Sequence, residues 1–273
     1  TFTWDNNKEL YIDYLNLFKK LNIHNFDIET LNRFDQIHAG GISITKKIAN
    51  LTDLKKGETI LELGGGIGGV ARFLAKNYDQ YVYNLDLSFS YSLTGLKLSS
   101  LIKEDLKIFF INGDANHIPF KENTFDVVWL QHINMNIFDK KNLFKEIKRV
   151  IKNNGIIVFH EWFINNKNDN NLLYPLPWSD TPDYNFLICY DDFINLAKEF
   201  GFKLSFSQED TDNALSFYKK LYETKSFSNP IFKYRDGEHI FQNMIKLIER
   251  KIISVYYGKL VFKIFFLVFF FFF

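Results

Sequence analysis

The sequence predicts an α/β fold with a doubly wound, mostly parallel sheet of seven strands. From Thr59 onward, short apolar runs of strand length alternate with longer segments whose apolar residues recur at helical spacing, which is the pattern of repeated βαβ units. The first of these strands runs directly into a glycine-rich segment at 64–69, and such a segment commonly joins a strand to a helix beside a bound ligand. The seven strands are predicted at 59–63, 81–85, 107–111, 124–130, 156–160, 202–207 and 259–264.

The remaining elements follow from helical spacing and from breaks in it. Residues 1–50 are predicted to form an N-terminal helical cap, and 51–264 the main domain. Within that domain, residues 164–185 are rich in Asn and then in Pro. Because Pro opposes helix and long loops in compact domains are often binding lids, we expect a lid insertion there. Helices are predicted at 4–21, 42–54, 70–76, 89–103, 140–151, 191–200, 213–224 and 238–256.

The C-terminal residues 265–273 form a hydrophobic tail that ends in five phenylalanines. A membrane-spanning helix needs about 20 apolar residues, and Gly258, Lys259 and Lys263 interrupt the run that precedes the tail. Three interpretations stay open: a non-native tail after a final core strand, a membrane anchor, or a hydrophobic cap. We favour the first, and we expect membrane contact only through this tail.

Charge and cysteine content narrow the class of protein. The formal net charge is +1, from 33 Lys and Arg against 32 Asp and Glu, which argues against electrostatic binding of nucleic acid. Cys189 is the only cysteine, so no intrachain disulfide can form, which fits a reducing compartment. We therefore expect a cytoplasmic protein whose partner is a small-molecule substrate.

The glycine-rich segment fits two kinds of cofactor site. Gly64, Gly66 and Gly69 have the G-x-G-x-x-G spacing of dinucleotide-binding proteins, which would make the chain a nicotinamide-dependent oxidoreductase. Glu62, Gly64, Gly66 and Gly68 have an acidic-x-G-x-G-x-G spacing that resembles methyltransferases using S-adenosylmethionine (SAM). A carboxylate at the end of a buried strand is costly unless it is paired. Glu62 suits the ammonium and sulfonium of SAM better than an anionic pyrophosphate, although it could instead cap a backbone group.

Two further carboxylates follow the second and third predicted strands. Asp86 lies where an acid can accept both ribose hydroxyls of an adenosine, which suits NAD and SAM equally. Leu87, its neighbour, is assigned to the same site. Asp114 is expected to accept the adenine amino group, with Ala115 close to the ring.

Over residues 51–162 the order of motifs resembles class I SAM-dependent methyltransferases. The motifs are Leu-Glu-Leu-Gly-Gly-Gly, Asp-Leu-Ser, Gly-Asp-Ala, Ile-Pro-Phe, Phe-Asp-Val-Val-Trp and Arg-Val-Ile-Lys-Asn-Asn-Gly. The resemblance implies a Rossmann-like methyltransferase fold and SAM as the cofactor. Residues 35–45 are similar to the corresponding segment of glycine/sarcosine/dimethylglycine and phosphoethanolamine N-methyltransferases, which implies methylation of a small polar amine. Gly65 departs from many relatives, which have Cys or Ser there, and residues 153–155 replace a Lys-Pro-Gly-Gly turn.

Candidate acceptor-site residues lie after the fourth strand and before the first. Gln131 and His132 should face the crevice at the carboxyl ends of the strands, where ligands of such sheets bind. His132 is expected to orient or deprotonate the acceptor, Gln131 to contact both cofactor and acceptor, and His38 to lie over the cofactor as a third catalytic candidate. For each histidine, an ordinary hydrogen-bonded loop residue is the alternative.

Three more residues are assigned to substrate binding. Asn136 follows His132 closely, and Trp178 and Tyr184 could enclose a methylated ammonium by cation–π attraction or simply pack in the core. His160-Glu161 resembles half of a zinc motif without its second histidine, so we expect no metal site. The acceptor atom stays open between nitrogen, oxygen, carbon and sulfur, and a non-catalytic, membrane-tethered methyltransferase-like protein is a further alternative.

Overall fold

The computed structural model describes residues 9–226, 229–233 and 235–262. The predicted tail, 265–273, lies outside these residues. The strands are β1 (Thr59–Leu63), β2 (Tyr81–Asp86), β3 (Ile108–Asn112), β4 (Phe125–Gln131), β5 (Ile151–Ile164), β6 (Phe202–Glu209) and β7 (Ile253–Phe262). The helices are α1 (Leu10–Lys20), α2 (Ile28–Asp35), α3 (Gly41–Thr52), α4 (Gly69–Tyr78), α5 (Phe89–Ser100), α6 (Lys140–Val150), α7 (Tyr190–Glu199), α8 (Thr211–Glu223) and α9 (Gly237–Glu249).

The strands form one sheet in the order β3-β2-β1-β4-β5-β7-β6. Strands β1 to β5 pair in parallel, whereas β7 pairs antiparallel with both β5 and β6. The predicted fold class is therefore confirmed. The strand order reverses direction between β1 and β4, and the crevice at the carboxyl ends of these two strands is where such sheets bind ligands.

The central strands are apolar because helices cover both faces of the sheet. In β4, Val128 and Leu130 pack into one core with α6, and Val127 and Trp129 pack into another with α3 and α4. All four side chains are at most 2% exposed. Because both faces of the strand are buried, polar and apolar residues do not alternate along it.

The N-terminal helices pack on α5 through a separate small core that includes Tyr14, Phe18 and Leu98. Helix α2, which was not predicted, begins after Asp27, whose carboxylate accepts the Thr30 backbone N–H at 2.7 Å. The helix is only eight residues long, which makes its periodic pattern hard to recognise. The division into a cap and a main domain remains a prediction.

The prediction of one long helix over 238–256 was wrong at its C-terminal end. Helix α9 ends at Glu249, and β7 begins at Ile253, so the final strand starts before its predicted position at 259. Strand β7 pairs with β5 from Ile253 opposite Ile164 to Val261 opposite Ile156. An apolar run fits helical spacing and a buried strand equally well, and the β-branched and aromatic residues of this run favour the strand once β5 and β6 offer backbone partners.

The predicted lid insertion packs against α8 and α9. Leu176 and Trp178 are buried in a shared core with Tyr218 and Met244, and the Tyr174–Pro175 peptide bond is cis. Any lid function of this segment remains a prediction. Among the described residues, none of the helices has the length and apolarity to cross a membrane.

Candidate functional site

The turn between β1 and α4 depends on glycine. Gly64, Gly66 and Gly68 have φ of +68°, +55° and +81°, which is the left-handed region that other residues enter at a cost. The Gly64 N–H donates to the Leu85 carbonyl at 2.8 Å, and a Cβ at Gly64 would lie 2.9 Å from the Ile133 side chain. The turn is therefore held between β2 and the loop that follows β4.

Glu62 lies beneath this turn and is paired with a residue that sequence analysis missed. Asn84 on β2 donates its Nδ2 to Glu62 Oε2 at 2.9 Å, and both side chains are buried. A Cβ at Gly65 would overlap the Asn84 amide and lie 2.8 Å from Cδ of Glu62. This pair therefore leaves no space for a side chain at position 65. The polar Asn84 in the apolar strand β2 was the available sequence signal.

Burial raises the pKa of the Glu62 carboxyl to about 8. The Asn84 hydrogen bond and the positive charge of Arg72 lower this pKa, while the charge of Asp86 raises it further. A cation placed beside Glu62 would favour its ionised form. The carboxyl is therefore suited to respond to a positively charged ligand.

A buried ion pair supports the turn from the other side. Arg72 Nη2 donates to Asp35 Oδ2 at 2.9 Å and to the Ile67 carbonyl at 2.6 Å, and both charged side chains are at most 1% exposed. Arg72 also donates to the Gly95 carbonyl and to Ser99 Oγ. One guanidinium therefore joins the glycine turn to α2 and α5.

Asp86 ends β2 and accepts backbone N–H groups from the turn after β1 and from the segment after β2. Its Oδ2 accepts the Gly66 N–H at 2.8 Å, and its Oδ1 accepts the Ser88 N–H at 2.8 Å. Leu87 is 72% exposed beside it. Glycine backbone, a carboxylate and an exposed apolar side chain are the features that an adenosine requires, so these residues fit the predicted cofactor.

The third predicted carboxylate lies on the loop after β3. Asp114 accepts the Asn116 N–H at 2.8 Å and lies 3.2 Å from His117 Nδ1. Ala115 is buried. Asp114 is partly exposed, so its carboxylate is accessible at the edge of the sheet; contact with adenine remains a prediction.

The structure brings together His38 and His132, which are far apart in the sequence. His132 has φ of +59° where β4 ends, and its ring stacks on His160 with centroids 4.9 Å apart. The His38 ring lies nearly perpendicular to that of His132, with centroids 6.0 Å apart. The two predicted histidines therefore form one cluster with His160, a residue that sequence analysis considered only as part of a metal motif.

The hydrogen bonds of His38 fix which of its ring nitrogens carries the proton. His38 Nε2 lies 3.1 Å from the Gly41 carbonyl and 3.1 Å from Thr45 Oγ1. Because a carbonyl only accepts, Nε2 must carry hydrogen, which leaves Nδ1 of the neutral ring as an acceptor. Burial lowers the pKa of His38 to about 4, so the ring is neutral at pH 7.

The other two histidines are also held neutral. Burial lowers the pKa of both His132 and His160 well below the ordinary value, and the neighbouring imidazoles oppose protonation further. Across the described residues, several buried polar atoms of this region have no hydrogen-bond partner. They are Gln131 Nε2, His132 Nε2, both amide atoms of Asn134, both ring nitrogens of His160 and Trp162 Nε1.

Glu161 holds the loop that carries His132. Its two oxygens accept the backbone N–H groups of Ile133 and Asn134, each at 3.1 Å. Burial raises the pKa of Glu161 to about 8. A carboxylate in an otherwise apolar strand was the sequence signal, and it resembles that of Glu62.

The residues predicted to enclose an ammonium occupy different environments. Trp178 is 2% exposed, stacks on Trp162 at 6.2 Å, and donates its Nε1–H to Asn185 Oδ1 at 2.9 Å. Tyr184 is 38% exposed, and Asn136 is the last residue of a short 3₁₀ turn, its N–H donating to the Ile133 carbonyl. Their roles in substrate binding remain predictions.

No group of three or more His, Cys, Asp or Glu side chains could hold a metal ion within the part of the chain that the structure describes. The three clustered imidazoles therefore need an explanation other than an evident metal site. The neutral charge of the three rings and the unpartnered nitrogens of His132 and His160 favour hydrogen bonding to an organic ligand.

Comparison with known proteins agrees with this geometry. Residues 61–159 match a family model described as "Methyltransferase domain". Phosphoethanolamine N-methyltransferase of Triticum aestivum is 32% identical over 126 residues, which are 46% of this chain and 25% of that protein. Glycine/sarcosine/dimethylglycine N-methyltransferase of Actinopolyspora halophila is 29% identical over 131 residues, 48% of this chain and 23% of that protein. The chain thus matches about a quarter of the length of these curated relatives.

A solved structure shows the same fold over most of the chain. Phosphoethanolamine N-methyltransferase 2 of Haemonchus contortus, in complex with phosphomonomethylethanolamine and S-adenosylhomocysteine, superposes with a TM-score of 0.69. It is 18% identical, and the match covers 90% of this chain and 59% of that one. The methyltransferase interpretation is favoured over the nicotinamide one, since residues 61–159 of this chain are similar to a methyltransferase domain.

Proposed function

We propose that this chain transfers a methyl group from SAM to a small polar acceptor, and that the acceptor atom is an amine nitrogen. The observation that carries the proposal is the cluster of His38, His132 and His160 at the carboxyl edge of β4 and β5. It adjoins the glycine turn, since Gly64 is in contact with Ile133, the residue after His132. Cofactor and acceptor sites would then share one crevice.

When bound, SAM supplies an electrophilic methyl group on a sulfonium. The residues that would hold it are Glu62 beneath the turn, the backbone of the glycines at 64–68, and Asp86 at the end of β2. Asp114 and Leu87 would border the adenine. Each of these assignments rests on the placement described above and on the match to methyltransferases.

The histidine cluster suits an amine that reacts as the neutral base. An amine must be unprotonated to attack a methyl carbon with its lone pair. A positively charged imidazolium beside it would have no ring nitrogen free to accept the amine N–H. His38 is neutral and offers Nδ1 as an acceptor, so it can receive an N–H of the amine and direct the lone pair. With so low a pKa, His38 is better suited to orient the acceptor than to remove its proton.

Orientation accounts for much of the catalysis expected from such a site. Aligning acceptor, methyl carbon and leaving group can contribute roughly 7–11 kcal/mol. Glu161 fixes the backbone after His132 through two hydrogen bonds, and Gln131 is fixed because its Oε1 accepts the Trp129 Nε1–H at 2.8 Å. Gln131 and the backbone after His132 are thus held in place by side chains of the sheet.

The test is a turnover screen that measures S-adenosylhomocysteine with glycine, sarcosine, dimethylglycine, phosphoethanolamine and simple phenols as acceptors. We expect product with at least one amine and none without acceptor. His38→Asn should lower kcat while the Kd of SAM stays within about twofold. Turnover of phenols alone would overturn the amine assignment, and failure to bind SAM at high micromolar concentration would overturn the whole proposal.

A further inference from the structure

His160 and Trp162 lie on the same face of the sheet as Gln131. His160 pairs in register with Gln131 across β4 and β5, and paired positions of neighbouring strands point to the same side. Trp162 is two residues further along β5 and therefore shares that face. The centroid of the His132 ring lies 4.9 Å from that of His160 and 6.0 Å from that of Trp162. One polar cluster thus extends from Gln131 to Trp162 around His132.

The unpartnered atoms of this cluster are mostly donors. Gln131 Nε2 and Trp162 Nε1 can only donate, and one nitrogen of neutral His160 must carry hydrogen. His160 and Trp162 are fully buried and Gln131 is 8% exposed. Buried polar groups nearly always have a partner, and leaving one unpaired is unfavourable. The complement to several N–H donors is an oxygen with free lone pairs.

Lys47 lies close enough to lower the pKa of His160, but it is paired with Asp210. Asp210 Oδ2 lies 3.9 Å from His160 Nε2 and is 3% exposed, while its Oδ1 binds Lys47 at 3.2 Å and Asn213. Tyr257, opposite His160 on β7, donates its hydroxyl to Gln208. The site therefore offers neutral N–H donors to a ligand.

We propose that Gln131, His160 and Trp162 form a subsite that binds an oxygen of the acceptor, so that the substrate class is a small amine bearing a hydroxyl, carbonyl or carboxylate oxygen. The inference rests on the proposed function, because the subsite would hold the end of the acceptor remote from the nitrogen. It adds His160 and Trp162 to the substrate-binding residues. It also gives the acceptor a fixed direction, with its nitrogen towards His38 and its oxygen towards β5.

The experiment compares matched secondary amines on the full chain. N-methylethanolamine and sarcosine carry the oxygen, whereas N-methylpropylamine and N-methylisobutylamine have similar shapes without it. In at least one pair, the wild type should have a higher kcat/KM for the oxygen-bearing amine than for its apolar counterpart. Trp162→Phe keeps the ring and removes the N–H, so it should lower kcat/KM for that member by about tenfold and leave its apolar counterpart unchanged.

Tyr257→Phe is the matched control, because this residue lies opposite His160 on β7 but already donates its hydroxyl to Gln208 within the chain. This control should leave the ratio of kcat/KM between pair members unchanged. The Kd of SAM should stay the same in the control and in Trp162→Phe. His160→Asn provides a second perturbation of the subsite and should also lower the ratio.

The outcomes separate the two proposals. If amines are methylated but neither Trp162→Phe nor His160→Asn changes the ratio in either pair, the buried donors bind water alone and the subsite is refuted. Equal losses for both members of a pair would show a purely structural role and would also refute it. If SAM binds but no amine is methylated, the proposed amine function fails and the inference fails with it. If the ratio changes only in the sarcosine pair, the bound oxygen belongs to a carboxylate. If it changes only in the N-methylethanolamine pair, the bound oxygen belongs to a hydroxyl.

Discussion

Replacement of Glu62 by Gln tests how the site responds to a cationic cofactor. Without a cation, burial places the pKa of Glu62 at about 8, so about nine carboxyls in ten hold a proton at pH 7. Ionising the group at pH 7 therefore costs about 1.4 kcal/mol. If the ammonium of SAM lies beside Glu62, binding should ionise the carboxyl and release about 0.9 proton per site.

The sign of the pH dependence follows from this proton release. Below pH 8 the binding constant for SAM should rise about tenfold per pH unit, and the rise should stop as Glu62 becomes ionised in the free protein. The free protein should show the opposite trend in stability. Because native Glu62 binds a proton more tightly than unfolded Glu62, the free energy of unfolding should fall as pH rises from about 4.5 to about 8. Glu62→Gln should remove both dependences.

Titration calorimetry in two buffers of different ionisation enthalpy measures the released proton directly. The wild type and the exposed-site control Glu122→Gln should show an apparent enthalpy that depends on the buffer, and Glu62→Gln should not. Glutamine can still accept the Asn84 hydrogen bond, so the fold should be retained. Equal proton release from Glu62→Gln and wild type would show that another group titrates and would refute the argument.

Three other substitutions test the framework of the cofactor site. Asp86→Ala removes the acceptor of the Gly66 and Ser88 N–H groups, so calorimetry should show SAM binding weakened by at least about tenfold. Arg72→Met leaves the Asp35 carboxyl buried without its partner, so urea denaturation should show a loss of about 3–5 kcal/mol in the free energy of unfolding; an unchanged midpoint would contradict a structural role. Gly65→Ser should lower the melting temperature because its side chain would overlap Asn84, and Asn84→Ala in the same chain should restore part of the loss.

The sequence was sufficient to predict the sheet and the glycine turn after β1 because both depend on local patterns. Buried parallel strands are short apolar runs, and the turn after β1 needs glycine at fixed spacing. The end of α9 was not predictable in this way, since residues 253–256 suit a helix until β5 and β6 provide partners. Asn84 was missed because its partner, Glu62, lies on a different strand.

The contacts among the proposed acceptor-site residues could not be predicted from the sequence. The predicted candidates His38 and His132 lie close together only because the segment before α3 folds over the end of β4, and a left-handed backbone at His132 places its ring on His160. No spacing along the chain encodes this contact. His160 and Trp162 have the alternating pattern of any strand, and only the registered pairing of β4 with β5 reveals that their unpartnered nitrogens share a face with Gln131. The motifs of the proposed cofactor side are continuous in the chain, whereas the proposed acceptor subsite depends on contacts between separate elements, which is why the fold is easier to predict than the substrate.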